Sequence, residues 1–365
     1  MRILFDGRVF QFQKAGGINR YFAEIIAGLP DAWQPVVTGA YDYGENIPRH
    51  RNLATLNPPR FRPGRFQEPY YRKWWRPGII KTVNLLHPTY YDLTSGFNLA
   101  DFSCPMVTTV YDMIYALFPK QTEGADFVIK AQRESVLRAN RVICISKSTE
   151  KDLLELIPEA AGKTTVIYLG ASFPSSNGVE ETNLFEKPRF IFVGGRGGYK
   201  NFLFLLRAFA KAASVVKTIQ LEVAGAPLTS EERWQMHFLG ITDRVHCTVF
   251  PDEQTLQALY HKSVALLYPS CYEGFGIPPL EAMSCGTVSV TANVTSLPEV
   301  VADGGIMLDP TEEDAWADCI IKLAVPFSGR DKILERGRNR VKQFTWEDCV
   351  CRHLEVYKGL VRINA

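Results

Sequence analysis

The chain repeats one pattern along its length: short runs rich in β-branched and aromatic residues alternate with stretches of helical spacing. The predicted strands are residues 3–5, 36–38, 85–87, 107–110, 142–145, 166–168, 190–193, 221–223, 245–250, 265–268 and 288–291. The predicted helices are residues 20–29, 127–139, 203–213, 255–262 and 346–361, with one more that begins near Leu280. Strands that alternate with helices indicate parallel sheets covered on both faces. The predicted fold class is α/β, with two doubly wound domains facing a central cleft.

The length of 365 residues is too great for one average domain and suits two. A polar, turn-rich stretch begins at Phe173 and is typical of a linker. We therefore assign residues 1–172 to the first domain, 173–187 to the linker and 188–345 to the second domain. Residues 346–365 hold the last predicted helix. Ligands of such sheets bind beyond the carboxyl ends of the strands, so the loops that follow strands should carry the chemistry.

The composition excludes several classes of protein. Hydrophobic content of 46% and charged content of 22% are typical of a globular chain, and a net charge of +2 does not indicate a nucleic-acid binder. No run approaches the ~20 apolar residues of a membrane helix, and Asp6 interrupts the first apolar run too early for a signal peptide. The 8 cysteines are scattered, as free thiols are in a reducing compartment. We expect a cytoplasmic protein.

The segment from Tyr272 to Met283 is the richest in chemical signals and directly follows a predicted strand. Gly274 and Gly276 allow close backbone approach to a ligand or a positive φ. Two prolines then suit the first turn of a helix, where amide hydrogens have no intrahelical partner. The helix start presents free N–H groups and a positive dipole end, for which a diphosphate is a natural ligand.

Two carboxylates, Glu273 and Glu281, flank this turn. Each carboxylate can accept hydrogen bonds from vicinal hydroxyl groups, which a ribose or a pyranose offers. Either acid alone is more often structural, and Glu281 could simply be a favourable charge at a helix start. Together, across a glycine–proline turn, they favour a sugar-nucleotide site.

A second loop, from Gly194 to Asn201, carries Arg196 and Lys200 between a predicted strand and a helix. Arginine offers a planar fork to phosphate oxygens and lysine a compact charge. The loop lacks the last glycine of the dinucleotide-binding fingerprint, and the chain has no P-loop motif. A pair of solvated surface cations is the simpler alternative.

Two further segments are less specific. Gly16 and Gly17 form a glycine turn that opens the first long helix. The stretch 59–81 interleaves arginines and lysines with tyrosines and tryptophans, which suits an anionic membrane surface or an acidic oligosaccharide. Packing of the tryptophans on the domain is an equally good interpretation. Nucleic acid is not expected, since no binding motif accompanies the patch.

The three segments at residues 16–17, 196–200 and 273–281 together resemble the glycosyltransferase family 4 enzymes, retaining transferases of the GT-B fold with two Rossmann-like domains. The likeness runs over nearly the whole chain, and Glu273 to Glu281 resembles the family's E-x7-E motif. The last helix is similar to the segment that crosses back to the first domain in these proteins.

The resemblance implies that residues 1–172 form the acceptor-side domain and residues 188–345 the nucleotide-sugar-binding domain. It also implies a role for each residue of the motifs. The donor diphosphate would contact Gly16, Gly17, Arg196, Lys200 and the N–H of Leu280. The donor sugar would contact Glu273 and the amides of Gly274, Phe275 and Gly276. Glu281 would bind the ribose, and the backbone near Phe250 would frame the base.

One position departs from the family pattern. Tyr111 stands where many relatives carry a histidine that touches the donor sugar, and a tyrosine hydroxyl donates a hydrogen bond without carrying positive charge. We assign Glu273 and Tyr111 as the catalytic residues. His87, at the end of a predicted strand, is interpreted as structural.

The expected reaction is transfer of a hexose from a UDP- or GDP-linked donor to a polysaccharide or lipid-linked saccharide acceptor. No D-x-D pair occurs, so we expect no metal and no cofactor besides the nucleotide sugar substrate. The leaving diphosphate would then be stabilised by fixed cations and a helix N-terminus, in a front-face transfer. Double displacement through Glu273, a sugar-nucleotide epimerase and a non-catalytic sugar-nucleotide binder stay open. Peripheral contact with the inner membrane face through residues 59–81 is a further expectation.

Overall fold

The computed structural model describes residues 1–12, 16–39, 48–57, 66–94, 97–171, 173 and 184–363. It divides into two compact units. The first comprises Met1–Gly170 and Trp346–Ala365, and the second comprises Ala171–Thr345. Residues 59–65 of the stretch predicted to contact a membrane lie outside the described part of the chain. Residues 174–183 of the predicted linker lie outside it as well.

The first unit is built on parallel strands. They are β1 (Arg2–Asp6), β2 (Gln34–Thr38), β3 (Ala54–Leu56), β4 (Leu85–Leu86), β5 (Val107–Val110), β6 (Arg141–Cys144) and β7 (Thr164–Val166). The strand orders are β3-β2-β1-β4 and β5-β6-β7, and a parallel bridge from Leu86 to Met106 joins the two sets. Leu4 in β1 lies opposite Val36 in β2 and Leu86 in β4, which fixes the register. The order of strands therefore reverses between β1 and β4.

Short helices cover these strands. They are α1 (Arg8–Phe12), α2 (Gly17–Ala27), α3 (Gln67–Tyr70), α4 (Arg76–Ile80), α5 (Ile114–Leu117), α6 (Ala125–Arg138) and α7 (Lys147–Leu156), with a π-helical turn, Tyr71–Trp75, between α3 and α4. Fully buried Leu4, Val36 and Leu86 pack with Ile79 and Phe97. Apolar side chains of the strands thus fill the space beneath the helices.

The second unit holds one six-stranded parallel sheet. Its strands are β8 (Arg189–Val193), β9 (Gln220–Gly225), β10 (Val245–Val249), β11 (Ala265–Tyr268), β12 (Val288–Ala292) and β13 (Ile306–Leu308). The order is β10-β9-β8-β11-β12-β13. β9 and then β10 lie on one side of β8, and β11, β12 and β13 follow on its other side. The reversal between β8 and β11 is the point at which such sheets bind ligands.

Helices on both faces bury the second sheet. They are α8 (Phe202–Val215), α9 (Ser230–Phe238), α10 (Glu253–His261), α11 (Ile277–Ser284), α12 (Leu297–Val301), α13 (Glu313–Leu323) and α14 (Arg330–Val341). The apolar spacing of Phe202, Leu205, Leu206 and Phe209 puts these residues on one buried face of α8. Trp316 of α13 is fully buried beside them, with its ring 6.1 Å from that of Phe204.

Most predicted elements agree with the structure to within a few residues, and several corrections follow. The strand predicted at 166–168 lies at Thr164–Val166, because Thr164, Thr165 and Val166 pair with β6. The helix predicted at 20–29 begins at Gly17 and ends before Gly28. The prediction missed the strands β3 and β13 and the helices α1, α3, α4, α5, α7, α9, α12, α13 and α14. Two of these carried a capping signal: Ser146 accepts from the Thr149 N–H at the start of α7, and Thr229 with Glu232 forms a capping box on α9.

The C-terminal helix, α15 (Trp346–Ile363), belongs to the first unit. A chain of buried side chains runs from this helix through the sheet and back. Its contacts are Tyr357 Oη to His87 Nδ1 at 2.6 Å, His87 Nε2 to Thr109 Oγ1 at 2.9 Å, Thr109 Oγ1 to Tyr21 Oη at 2.9 Å, Tyr21 Oη to His353 Nε2 at 2.6 Å, and His353 Nδ1 to the Cys349 carbonyl oxygen at 2.6 Å. His87 is thus a structural residue, as predicted.

The Cys349 carbonyl oxygen determines which atom donates in each hydrogen bond of this series. A carbonyl oxygen can only accept, so His353 Nδ1 carries the hydrogen and, in a neutral ring, Nε2 accepts from Tyr21. The Tyr21 oxygen must then accept from the Thr109 hydroxyl. One backbone acceptor at the end of the chain therefore sets the tautomer of a histidine and the direction of the hydroxyl groups beyond it.

The same logic continues to the other end. Since Thr109 gives its hydrogen to Tyr21, its oxygen accepts from His87 Nε2, and His87 Nδ1 accepts from the Tyr357 hydroxyl. Both histidines are neutral in this arrangement. Burial lowers the pKa of His87 well below its usual range and lowers that of His353 to about 4, despite the Cys349 carbonyl. A protonated ring would place two donors against each other.

We predict that His353→Gln reduces the acid sensitivity of the fold. In the unfolded chain a histidine titrates near 6.5, so the folded state binds fewer protons between about pH 6.5 and 4. This contribution to stability is complete above pH 6.5 and is lost as the pH falls, by up to about 1.4 kcal/mol per pH unit for each histidine. Urea unfolding followed by circular dichroism over this range should show a shallower profile for the variant than for wild type.

His237→Gln is the matched control, because His237 is exposed at the end of α9. It should leave the profile unchanged. Asp6, whose pKa burial raises to about 6, contributes with the opposite sign but is present in all three proteins. Parallel profiles of the free energy of unfolding against pH for wild type and His353→Gln would show that the buried series of hydrogen bonds does not couple folding to protonation.

Candidate active site

The strand reversal in the second unit brings Lys200 and Glu273 together. Lys200 follows β8 and Glu273 follows β11, and the carboxyl ends of adjacent parallel strands lie at one edge of the sheet. Lys200 Nζ lies 2.7 Å from Glu273 Oε1, with side-chain exposures of 17% and 9%. Two predicted site residues from separate loops thus form one partly buried ion pair.

The surroundings of Lys200 hold it in the charged form. Burial alone would lower the pKa of the amine, but the charge of Glu273 and the Tyr268 hydroxyl outweigh it and raise that pKa above its usual value. Lys200 Nζ lies 3.5 Å from the Tyr268 oxygen and 5.3 Å from the centre of the Tyr199 ring. Lys200 is therefore a fixed cation at neutral pH.

The turn that carries Glu273 is held by two residues that the sequence analysis missed. The Glu273 N–H donates to Thr295 Oγ1 at 3.1 Å. The Ser296 hydroxyl lies 2.9 and 2.8 Å from the carbonyl oxygens of Glu273 and Phe275 and shares its hydrogen between them. Both residues follow β12, the strand next to β11, so the rule about carboxyl ends of strands could have found them.

Gly276 lets the chain enter α11. Its φ is 110°, and a Cβ there would lie 2.8 Å from Cδ2 of Leu297, which is fully buried. Pro278 and Pro279 occupy the first turn and have no N–H to leave unpaired. The N-terminus of α11, with its positive dipole end, therefore begins four residues after Glu273.

Glu281 is also buried, and it accepts a hydrogen bond from the Tyr260 hydroxyl at 3.0 Å. Burial and the charge of Glu281 raise the pKa of Tyr260 well above its usual value, so Tyr260 stays a donor. Leu280 is fully buried beside Glu281, and its carbonyl oxygen accepts a hydrogen bond from the Ser284 hydroxyl. Tyr260 is a second partner that the sequence pattern did not reveal.

Arg196 lies at the same sheet edge with different partners. Its Nε lies 2.6 Å from Glu232 Oε1 and its Nη2 donates to the Pro227 carbonyl oxygen at 2.7 Å. The structure therefore pairs Arg196 with Glu232, not with Glu273 or Glu281. Its Nη1 is buried and has no hydrogen-bond partner among the described residues. The capping box on α9 could have pointed to Glu232, whose other oxygen accepts the Thr229 N–H at 2.7 Å.

Backbone contacts join the loops after β8, β9 and β10. The Gly194 N–H donates to the Ala224 carbonyl oxygen at 3.0 Å, and the Phe250 N–H donates to that of Gly225 at 2.9 Å. A Cβ at Gly225 would lie 2.6 Å from the Gly194 oxygen, so only glycine fits there. Phe250 has a φ of 44° and an exposed ring. Phe250 directly follows β10, at the carboxyl edge of the sheet.

The other predicted site residues lie in the first unit. Tyr111 is buried, and its hydroxyl donates to the Thr89 carbonyl oxygen at 3.1 Å. Burial raises the pKa of Tyr111 well above its usual value. Gly16 is the N-cap of α2, with a φ of 151°, and Gly17 is the first residue of that helix. The roles assigned to these residues at the donor stay predictions.

In the stretch predicted to contact a membrane, residues 66–81 are described. Phe66 and Tyr70 are exposed, whereas Tyr71 and Ile79 are buried. Trp75 packs with ring centres 5.6 Å from Tyr71 and 5.3 Å from Phe97. One of the two tryptophans thus packs on the domain, and the membrane contact stays a prediction.

Comparison with known proteins identifies the family. A family model described as glycosyl transferases group 1 matches residues 179–340. A second, described as glycosyltransferase family 4, matches residues 15–172. The chain belongs to this family of glycosyltransferases.

Relatives of the glycosyltransferase match over its whole length. It is 28% identical to O-antigen chain mannosyltransferase B of Escherichia coli, covering 99% of this chain and 100% of the relative. Sucrose-phosphate synthase of Thermosynechococcus elongatus has a similar structure, with a TM-score of 0.75, 20% identity and full coverage of both chains. HepE of Anabaena, solved with UDP and glucose, has a TM-score of 0.75 at 18% identity, covering 99% of this chain and 100% of that one. The fold is the GT-B fold with two Rossmann-like domains.

The described residues of the glycosyltransferase include neither a candidate membrane-spanning helix nor a candidate metal site. In that part of the chain, no helix has both the length and the apolar character to cross a bilayer. Over the same residues, no three His, Cys, Asp or Glu side chains gather closely enough to hold a metal ion.

We predict that Gly276→Ala destabilises the glycosyltransferase more than Gly286→Ala does. Gly286 also has a positive φ, of 72°, but a Cβ there meets nothing within 4 Å. Gly276→Ala adds a contact with the packed Leu297 side chain to the backbone strain, and we expect a loss of about 1–3 kcal/mol. Urea unfolding of both variants measures the difference. Equal losses of unfolding free energy in the two variants would mean that the Leu297 side chain moves aside without an energetic cost.

Proposed function

We propose that this glycosyltransferase moves a hexose from a UDP- or GDP-linked donor to a saccharide acceptor, with retention of configuration and without a metal ion. The observation that carries the proposal is the Lys200–Glu273 ion pair at the strand reversal, beside the N-terminus of α11. A cation, a carboxylate and the positive dipole end of a helix at one edge suit the diphosphate and the hydroxyl groups of a sugar nucleotide.

The diphosphate is bound by fixed positive groups. Lys200 supplies a full charge, and the start of α11 supplies its positive dipole end. Arg196 Nη1, which has no hydrogen-bond partner within the described part of the chain, supplies a donor already held in place by Glu232. A buried donor without an acceptor is costly, and a phosphate oxygen would satisfy it. Gly16, Gly17 and the N–H of Leu280 are the further phosphate contacts we propose.

The remaining donor groups follow from the same edge of the sheet. Glu273 binds hydroxyl groups of the sugar, helped by the amides of Gly274, Phe275 and Gly276. Glu281 binds the ribose, for which Tyr260 orients its carboxylate. The backbone at Phe250 frames the base.

The transfer breaks the bond from the anomeric carbon to the phosphate oxygen and forms a bond to the acceptor oxygen on the same face. The acceptor proton passes to the leaving phosphate oxygen, so no protein nucleophile is required. The Glu273 carboxylate is engaged by Lys200 and its turn is held by Thr295 and Ser296, which supports a binding role over a covalent one. Tyr111 acts at the sugar only after its hydroxyl leaves the Thr89 carbonyl.

The relatives guide the choice of substrates. The Escherichia coli relative is named an O-antigen chain mannosyltransferase, and HepE was solved with UDP and glucose. GDP-mannose and UDP-glucose are therefore the first donors to screen, and a polysaccharide or lipid-linked saccharide is the acceptor we propose. The enzyme would work in the cytoplasm, with peripheral contact to the inner membrane face through residues 59–81.

We predict that Lys200→Ala abolishes the thermal stabilisation that the preferred donor gives. A ligand present at 100 times its Kd stabilises by about 2.7 kcal/mol, and removal of one fixed cation should weaken binding on the order of 100-fold. Glu281→Ala should lose the same stabilisation. Differential scanning fluorimetry with GDP-mannose, UDP-glucose and ADP-glucose measures it. Lys217→Ala, an exposed cation on the same unit, is the control.

Lys200→Ala also leaves Glu273 buried without its partner, which by itself destabilises the fold. The double variant Lys200→Met with Glu273→Gln removes both charges and should recover stability without recovering donor binding. Donor affinity that returns with stability would show that Lys200 serves the fold alone. Turnover of the donor with no acceptor present would instead favour an epimerase, and tight binding without any turnover a sugar-nucleotide binder.

We predict that sugar transfer continues after treatment with EDTA. The chain has no D-x-D pair, and the positive charge near the leaving diphosphate comes from Lys200, Arg196 and α11. Initial rates with and without EDTA, using the donor found in the screen, test this. A rate that falls with EDTA and returns with Mg²⁺ would disprove metal independence.

A further inference from the structure

A tyrosine at the end of β11 contacts both members of the Lys200–Glu273 ion pair. Tyr268 is the last residue of β11 and is 3% exposed. Its hydroxyl oxygen lies 3.5 Å from Lys200 Nζ, and the hydroxyl also makes a hydrogen bond with the Glu273 side chain. Tyr268 is therefore in a position to influence both charged groups at once.

Only one arrangement of hydrogens fits these three groups. An ammonium group offers donors alone and a carboxylate acceptors alone, so Lys200 donates both to Glu273 and to the Tyr268 oxygen. The Tyr268 hydroxyl must then give its own hydrogen to the Glu273 carboxylate. Burial and the charge of Glu273 raise the pKa of Tyr268 well above its usual value, so the hydroxyl keeps this hydrogen at neutral pH. The three groups therefore form a closed triangle of hydrogen bonds.

The backbone of β11 makes Tyr268 the most firmly held member of the triangle. β11 pairs with β8 on one side and with β12 on the other, where Tyr268 lies opposite Thr291. Lys200 instead ends a short 3₁₀ turn, and Glu273 lies in the turn between β11 and α11. Both of these side chains are long and lose rotamer freedom when they are fixed. A polar group on a paired strand holds them more precisely than another loop residue would.

The triangle also lets Lys200 turn toward a ligand without leaving Glu273 unsatisfied. An ammonium group has three hydrogens, of which Glu273 and Tyr268 accept two. A phosphate oxygen that takes the third draws Lys200 away from Glu273, and a buried carboxylate that loses a donor is costly. The Tyr268 hydroxyl still donates to Glu273 in that state. The carboxylate can therefore stay in place while the lysine binds the phosphate.

We propose that Tyr268 is a positioning residue, which fixes Lys200 for the donor diphosphate and Glu273 for the donor sugar. The inference rests on the proposed function, since it explains how two residues of that site keep their geometry. Tyr268 acts through these two side chains and does not itself touch the reacting atoms. Its hydroxyl group, rather than its ring, carries the effect.

Tyr268→Phe tests the proposal, because it removes the hydroxyl group and keeps the ring. Affinities of the full chain are measured for the nucleoside diphosphate of the preferred donor by calorimetry, and for the nucleoside alone by saturation-transfer NMR. The variant should bind the nucleoside diphosphate about tenfold more weakly, the order of one hydrogen bond to a charged group. It should bind the nucleoside as wild type does, since Lys200 and Glu273 have no phosphate or sugar to meet there. The complete sugar nucleotide should lose at least as much affinity as the nucleoside diphosphate.

Tyr357→Phe is the matched control, because it also removes a buried tyrosine hydroxyl, the one that donates to His87 in the first unit. It should reduce stability in urea unfolding and yet bind the nucleoside diphosphate as wild type does. Equal affinity of Tyr268→Phe and wild type for the nucleoside diphosphate would overturn the inference. A loss for the nucleoside as large as that for the diphosphate would also overturn it, since the whole site would then be disturbed rather than two side chains misplaced.

The donor screen separates this inference from the proposed function. If no sugar nucleotide stabilises wild type, the proposed function fails and the role of Tyr268 fails with it. If the preferred donor stabilises wild type and Tyr268→Phe to the same extent, the proposed function stands and only the role of Tyr268 fails. In transfer assays the variant should show a raised donor KM and an unchanged acceptor KM, and a raised acceptor KM with an unchanged donor KM would contradict the inference.

Discussion

The carboxyl ends of parallel strands share one edge of a sheet, and this constraint arranges the chemistry of both units. In the second unit, β8 and β11 are neighbours in the sheet although β9 and β10 lie between them in the sequence. Local sequence alone therefore gives no reason for Lys200 to meet Glu273.

 The order of the strands supplies the reason, because it puts β8 beside β11 and so sets the loops that follow them side by side. Lys200 and Glu273 then meet at 2.7 Å. In the first unit the same constraint puts Arg8 against Asp92.

The Lys200–Glu273 pair is a poor way to stabilise a fold. Removing two charges from water costs several kcal/mol for each ion, and their attraction often does no more than offset that cost. Well-packed apolar side chains would serve the fold at least as well. Arg196 shows the same feature, since it is buried against Glu232 with one nitrogen left without a partner among the described residues. Polar groups arranged at a cost to stability are typical of a site shaped for its ligand.

The sequence predicted the parallel α/β fold and the loops of the proposed donor site, because periodicity and turn residues are local signals. Glu273, Gly276 and Glu281 could be found in this way, and so could Lys200. Their partners could not: Thr295, Ser296 and Tyr260 come from other elements, and only the three-dimensional order of the strands brings them close. Short elements such as β3 were missed because three residues carry too little pattern.

The two strand reversals of this glycosyltransferase carry different chemistry on the same framework. At β8 and β11 the loops gather cations and the start of a helix, which suits a diphosphate. At β1 and β4 they gather the rings of Phe12 and Tyr90 and the Arg8–Asp92 ion pair. The framework decides where a ligand can bind, and the side chains after each strand decide which ligand binds there.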